Sequence, residues 1–93
     1  MAQSQSTLTF ITESIPDFTV GVRQHADIEA SGGTPPYRFE ITDGKLPKGL
    51  RFYKRGRISG TAREESTVTV FVEVRDRARD SLTQAFNIQT STP

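Results

Sequence analysis

The sequence has 93 residues, a formal net charge of +1 and no cysteine. A chain of this length has room for one domain, and the lack of cysteine excludes a disulfide framework and a thiolate metal site. No apolar run approaches the ~20 residues of a membrane span, and the polar N-terminus lacks the pattern of a signal peptide. We therefore expect a single domain without membrane insertion.

Apolar residues alternate with polar ones in most segments, which is the pattern of strands that are buried on one face. In chain order the alternating apolar positions are Leu8 and Phe10; Phe18, Val20 and Val22; Ala26, Ile28 and Ala30; Tyr37, Phe39 and Ile41; Val68, Val70, Val72 and Val74; and Leu82, Phe86 and Ile88. No window combines helical spacing of apolar residues with helix caps. The sequence therefore predicts an all-β chain of about seven short strands.

Glycine and proline separate these segments. The run from Ser31 to Pro36 cannot lie inside a central strand, and Asp43-Gly44 is typical of a tight turn. Arg55-Gly56 fits a hairpin turn between residues 50–53 and 57–61. Short strands at this spacing favour a sandwich of two antiparallel sheets.

Three blocks around these turns carry a resemblance to a known family. They are Gly32-Gly33-Thr34-Pro35-Pro36-Tyr37, Leu46-Pro47-Lys48-Gly49-Leu50 and Gly56-Arg57-Ile58-Ser59-Gly60-Thr61. With the valine-rich strand that follows them, the stretch from Val20 to Gln89 resembles the putative-Ig family of bacterial Ig-like and cadherin-like domains. The resemblance implies an Ig-like β-sandwich of about seven antiparallel strands with Greek-key connections. We expect this domain at residues 7–90, with tails at 1–6 and 91–93.

The same resemblance implies a non-enzymatic structural or adhesion module. Such a module is a spacer or interaction domain of a larger extracellular or cell-surface protein, next to other domains of its parent chain. Two alternatives stay open, namely a binding module for carbohydrate or another polyanion and an accessory domain of a phage or virus particle. A protein or a cell-surface polysaccharide could be the partner, whereas nucleic acid is not expected.

A basic segment, residues 45–57, is the first candidate site. Residues 1–44 carry a formal balance of −4 and residues 45–93 a balance of +5, and the basic segment contains no acid. Basic groups beside aromatic rings bind phosphates or anionic sugars, although a solvated basic surface also discourages pairing between strand edges. The candidate contact residues are Lys45, Lys48, Arg51, Tyr53, Lys54, Arg55 and Arg57, together with Phe71, which the strand alternation points outward.

Other polar residues predict no chemistry. Asp76 and Asp80 share a loop with interleaved arginines that would repel a cation, so we expect these aspartates to pair with arginines rather than bind calcium. His25 is the one histidine, and without cysteines or clustered acids it is neither a metal ligand nor a catalytic base. We therefore expect no enzymatic activity, catalytic site, metal or cofactor.

Overall fold

The computed structural model describes residues 8–93, which form nine β-strands and no helix. The strands are β1 (Thr9–Phe10), β2 (Phe18–Thr19), β3 (Arg23–Asp27), β4 (Ala30–Ser31), β5 (Arg38–Asp43), β6 (Leu50–Phe52), β7 (Arg57–Thr61), β8 (Ser66–Arg75) and β9 (Ser81–Ser91). The predicted N-terminal tail, residues 1–6, lies outside the described residues. The last strand ends at Ser91, one residue beyond the predicted domain boundary. Within residues 8–93 no helix could cross a membrane.

The strands form two facing layers. One layer has the order β3-β7-β6, and we assign to it the separate two-stranded sheet β1-β4, because β4 follows β3 after a short break. The other layer has the order β2-β9-β8-β5, with β8 and β9 paired from Ser66 opposite Thr90 to Arg75 opposite Ser81. This arrangement confirms the predicted all-β Ig-like sandwich.

The strand count differs from the predicted seven because two strands are each divided in two. Pro16 lacks a backbone donor and separates β1, in the first layer, from β2, in the second. The break between β3 and β4 falls at Ile28 and Glu29, whose backbone groups bond instead to Gly56 at 2.7 Å and to Ile11 at 2.8 Å. The pairing of β2 with β9 is parallel, whereas the sequence predicted antiparallel strands throughout.

The core lies between the layers and follows the predicted alternation. Its most deeply buried aliphatic members are Ile28, Ile58, Val70, Val72, Val74 and Ile88. Phe10 packs between two other rings, with its centroid 6.4 Å from that of Phe39 and 5.5 Å from that of Phe86. The alternation was wrong at two positions. Val22 lies in the turn before β3 and Leu82 at the outer end of β9, and they are 46% and 38% exposed.

Candidate functional site

Three turns meet at one end of the sandwich. They are the loop before β5 (32–37), the β6–β7 turn (53–56) and the β8–β9 turn (76–80). The backbone joins them, because the Phe39 amide donates to the Lys54 carbonyl at 2.7 Å and the Arg77 amide donates to the Thr34 carbonyl at 2.8 Å. We call this surface the loop end.

The β6–β7 and β8–β9 turns have the same backbone geometry. In the first, the Gly56 amide donates to the Tyr53 carbonyl at 2.8 Å and the Tyr53 amide donates to the Arg57 carbonyl at 2.8 Å. This confirms the hairpin turn predicted from Arg55-Gly56. The corresponding bonds of the β8–β9 turn measure 3.1 and 3.0 Å. The fourth residue has a positive φ in both, 95° at Gly56 and 75° at Arg79.

Asp76 holds two of these turns together. Its side chain is buried, and its Oδ2 accepts from the Thr34 amide and its Oδ1 from the Asp80 amide, both at 2.9 Å. The expected pairing of this aspartate with arginines is therefore wrong, because two backbone donors occupy its oxygens. An aspartate at the start of a turn often bonds to backbone amides, and this signal was available in the sequence.

A groove opens on the loop end, with a volume of about 660 Å³. We call it the end groove, and its lining residues are Pro36, Tyr37, Arg38, Lys54, Arg55, Arg75, Asp76 and Arg77. Five of these eight side chains are cationic, and the one acid is the hydrogen-bonded Asp76. Pro36 and the Tyr37 ring add apolar surface, and the Tyr37 hydroxyl donates to the Gly32 carbonyl.

The basic segment is divided by the fold, so its predicted contact residues do not form one patch. Lys54 and Arg55 line the end groove. Lys48 lies near the opposite end, where its carbonyl accepts from the Arg63 amide at 3.1 Å. Lys45 and Arg51 are exposed outside the groove, and Tyr53 at the start of the β6–β7 turn is 44% exposed.

Arg57 forms an ion pair instead of lining the groove. Its Nε donates to Asp27 Oδ1 at 2.8 Å, across the pairing of β7 with β3. This hydrogen bond lowers the pKa of the Asp27 carboxyl below its ordinary value of 3.8. The Arg57 charge is therefore neutralised on the outer face of the first layer.

Phe71 stands apart from both regions. It is 40% exposed on β8, opposite Ala85 of β9, so the outward direction expected from the alternation is confirmed. Its role as a contact residue stays a prediction.

Sequence reasoning missed the groove residues outside the basic segment. Arg38 and Arg75 come from distant parts of the chain and become cross-strand neighbours only through the pairing of β5 with β8. Arg77 and Tyr37 reach the groove because the Thr34–Arg77 bond closes the loop end. Alternation identified the outward position of Arg38, but a single sequence does not give the register that sets it opposite Arg75.

The described residues contain no arrangement suited to a metal. No three histidine, aspartate or glutamate side chains within residues 8–93 are grouped as metal ligands.

Near the end of β9, the Thr92 hydroxyl donates to Glu65, and this bond lowers the pKa of the Glu65 carboxyl.

Comparisons with known proteins place this geometry among Ig-like domains. The model of the family described as "Putative Ig domain" matches residues 4–91. A search of the curated proteins gave no match.

Two similar solved structures come from Bacteroides fragilis NCTC 9343. One is described as a "putative alpha-galactosidase/melibiase", with 22% identity and a TM-score of 0.74. The other is described as a "putative alpha-galactosidase", with 19% identity and a TM-score of 0.73. Each match covers 90% of this chain but 17% of the other chain. At these identities the similarity shows the fold alone.

Proposed function

Since this chain belongs to the Putative Ig domain family, we propose that it is a non-catalytic module that sets the distance between neighbouring parts of a larger protein. The two similar structures support a modular role, because the matching fold makes up 17% of each of those chains. We propose that the larger protein that contains this module is extracellular or displayed at a cell surface, as the resemblance to bacterial Ig-like domains implies. Adhesion and a place in a phage or virus particle stay predictions.

The observation that carries this proposal is the path of the chain through the sandwich. Leu8 lies at the loop end, because a Cβ added to Gly33 would stand 3.3 Å from Leu8 Cδ1 and even closer to Asp76. Ser91 lies at the opposite end, one residue beyond the pairing of Thr90 with Ser66. The ten residues of β8 separate these points, and at about 3.3 Å per residue they span roughly 30 Å.

The shape of the molecule also supports a spacer. Its principal extents are 56 × 18 × 17 Å. A chain that enters an elongated sandwich at one end and leaves at the other holds its neighbours apart along the long axis. Residues paired in sheets resist bending far more than a linker without secondary structure does.

The test measures the spread of end-to-end distances. The full chain is fused between two reporter domains, each carrying one spin-labelled cysteine, and the distances are measured by pulsed electron resonance. The absence of cysteine in the module keeps the labelling specific. The control is the same fusion with Ile58→Asp, which places a charge in the core and unfolds the module.

The width of the distribution is the deciding quantity. An unfolded chain of this length has a root-mean-square span of about 50–60 Å. Leu8 and Ser91 lie only about 30 Å apart in the folded module, so the native fusion should also show the shorter mean distance. We expect a narrow distribution for the native module and a broad one for the control. Equal widths would refute the spacer, and hydrolysis of a nitrophenyl galactoside by the native module would refute its non-catalytic character.

A further inference from the structure

The end groove carries positive charge that the protein itself leaves largely unneutralised. Arg75 donates to Glu73 Oε1 at 3.2 Å. The other four cations of the groove, at positions 38, 54, 55 and 77, form no ion pair with any residue from 8 to 93. The Asp76 carboxylate is turned toward backbone amides and is buried below this surface.

Two of the cations are held directly opposite each other. Arg38 of β5 and Arg75 of β8 are register partners, and like charges in this position destabilise a sheet. An anion bound between two guanidinium groups offsets this repulsion, and their planar donors match the oxygens of a carboxylate or sulfate. The sheet therefore presents a pair of donors suited to one oxyanion.

Hydrogen bonds connect the backbone segments that frame the groove. Backbone hydrogen bonds join all three turns of the loop end, and the Tyr37 hydroxyl is fixed to the Gly32 carbonyl. These bonds set the backbone positions of Lys54, Arg55 and Arg77 around the Arg38–Arg75 pair before any ligand binds. Binding to a preformed site loses less conformational freedom than binding to a mobile one.

Arg79 extends the positive charge along the β8–β9 turn, at a position where an arginine is unfavourable. Its φ of 75° lies in the left-handed region, where glycine or asparagine is the usual residue. Residues in such strained conformations cluster at functional sites. Arg79 therefore adds one more cation to the loop end, outside the residues that line the groove.

From these features we infer that the end groove binds an acidic oligosaccharide, a short sugar chain that bears carboxylate or sulfate groups. The groove volume, about 660 Å³, lies within the ~300–1,000 Å³ of small-ligand sites. The cations bind the acidic groups through ionic hydrogen bonds, and Pro36 and the Tyr37 ring pack against the apolar face of a sugar.

The surroundings of the groove favour a short ligand over a nucleic acid. Glu40 and Glu73 face each other two residues along β5 and β8 from the Arg38–Arg75 pair, so an extended phosphate backbone following the sheet would meet negative charge. Stacking of successive bases needs several exposed rings, and Tyr37 is the one aromatic residue that lines the groove.

Tyrosine fluorescence allows a direct test. The chain has two tyrosines and no tryptophan, so a Tyr53→Phe background leaves Tyr37 as the single reporter. The probes are a trigalacturonate, a sulfated heparin disaccharide, a neutral galactotriose and a DNA hexamer. We expect saturable binding of at least one acidic sugar, weakened by salt, with amide shifts at Arg38, Lys54–Arg55 and Arg75–Arg77.

Matched double variants locate the site. Lys54→Gln with Arg55→Gln removes two charges from the groove, and Lys45→Gln with Lys48→Gln removes two exposed charges outside it. We expect the groove variant to bind about tenfold more weakly and the control to stay within about twofold of the parent.

Each further outcome decides the inference. Binding of the trigalacturonate alone would identify carboxylate as the acidic group that the groove recognises, and binding of the sulfated heparin disaccharide alone would point to sulfate. Binding of neither acidic sugar overturns the inference, as does equal weakening by both double variants. Binding of the neutral sugar or the DNA hexamer with the same affinity also overturns it. The spacer proposal is independent of all these results, because it rests on the path of the chain.

Discussion

At the residue scale, Arg79 and Gly56 occupy the same position of two equivalent turns. The position of Gly56 has no room for a side chain, whereas that of Arg79 has. A Cβ on Gly56 would clash with the Ile28 carbonyl oxygen, and this backbone atom cannot move without disturbing the chain around it. Arg79 adopts its φ of 75° with a side chain in place. The two turns therefore provide an internal comparison of the cost of a left-handed residue.

We predict opposite effects of substitution at these two positions. Arg79→Gly should raise the free energy of unfolding by about 0.5–1 kcal/mol, because relief of the left-handed strain exceeds the added entropy of the unfolded chain. Gly56→Ala should lower it by roughly 1–3 kcal/mol, because strain and a backbone clash add. Urea denaturation measures both. A destabilised Arg79→Gly variant would contradict the assigned conformation of this turn.

Ile58 and Leu50 are core residues whose truncation should be costly. Ile58 has no exposed surface and Leu50 is 7% exposed. Ile58→Ala or Leu50→Ala should each lower the free energy of unfolding by roughly 2–5 kcal/mol, because apolar burial is lost and a cavity remains. The control is Val22→Ala, at a 46% exposed position, which should change stability by less than about 0.5 kcal/mol. Losses below about 1 kcal/mol at both core positions would refute their assignment.

The Asp27–Arg57 pair predicts a small dependence of stability on pH. The folded-state pKa of Asp27 lies below its ordinary value of 3.8, so the folded protein binds the proton less readily than the unfolded chain. The stabilisation is therefore present above about pH 4 and is lost as the pH falls through the folded-state pKa. Because the pair is solvent-exposed, 0.5 M salt should weaken the effect.

Asp27→Asn should make stability less sensitive to pH in this acidic range. Denaturation at pH 7 and pH 3 compares the variant with the parent. Asp43→Asn is the matched control, because Asp43 accepts a local bond from the Gly44 amide but has no cationic partner within residues 8–93. An unchanged pH dependence in Asp27→Asn would show that the ion pair is not formed in solution.

At the scale of elements, Asp76 joins the β8–β9 turn to the loop before β5. We expect Asp76→Asn to lower the free energy of unfolding by roughly 1–3 kcal/mol, because an amide cannot accept with both of its atoms and one of the two part-buried backbone amides loses its partner. The amide resonances of Thr34 and Asp80 should move most. Asp80→Asn is the control, since Asp80 takes part in this turn through its backbone amide and carbonyl. Equal effects of the two variants would contradict the role of the Asp76 side chain in joining the two turns.

The elements themselves could largely be predicted from the sequence. The alternation around Phe39 and along the valine-rich β8 placed these side chains in the core, and Arg55-Gly56 fixed a hairpin. These signals are local, since they depend on strand period and glycine conformation. The exposed Val22 shows their limit, because alternation continues into a turn that ends the strand.

The end groove could not be predicted in the same way. The bond from Thr34 to Asp76 spans 42 residues, and the Arg38–Arg75 pairing depends on a register between strands far apart in the chain. The basic segment was predicted as a site because its charges are close in sequence. The fold instead gathers two of these charges with three arginines from other segments.

At the scale of the whole molecule, the groove lies at the end of the sandwich where the described chain begins and not at the end where it leaves. Leu8 and the end groove both lie at the loop end, whereas Ser91 lies at the other. A domain attached before Leu8 would therefore stand beside the groove, and one attached after Ser91 would stand far from it. In an array of such modules, the groove would lie at the junction with the preceding domain.

The parallel pairing of β2 with β9 determines how the sandwich would respond to tension. Phe18 and Thr19 lie beside Thr90 and Ser91, and the Val20 amide donates to the Ser91 carbonyl at 2.8 Å. A force that draws the two chain ends apart would pull β2 toward the loop end and β9 away from it. Their hydrogen bonds run across the strands, so they would carry this load together in shear rather than open one at a time. The short pairing of β2 with β9 would thus resist the unfolding of the module under tension.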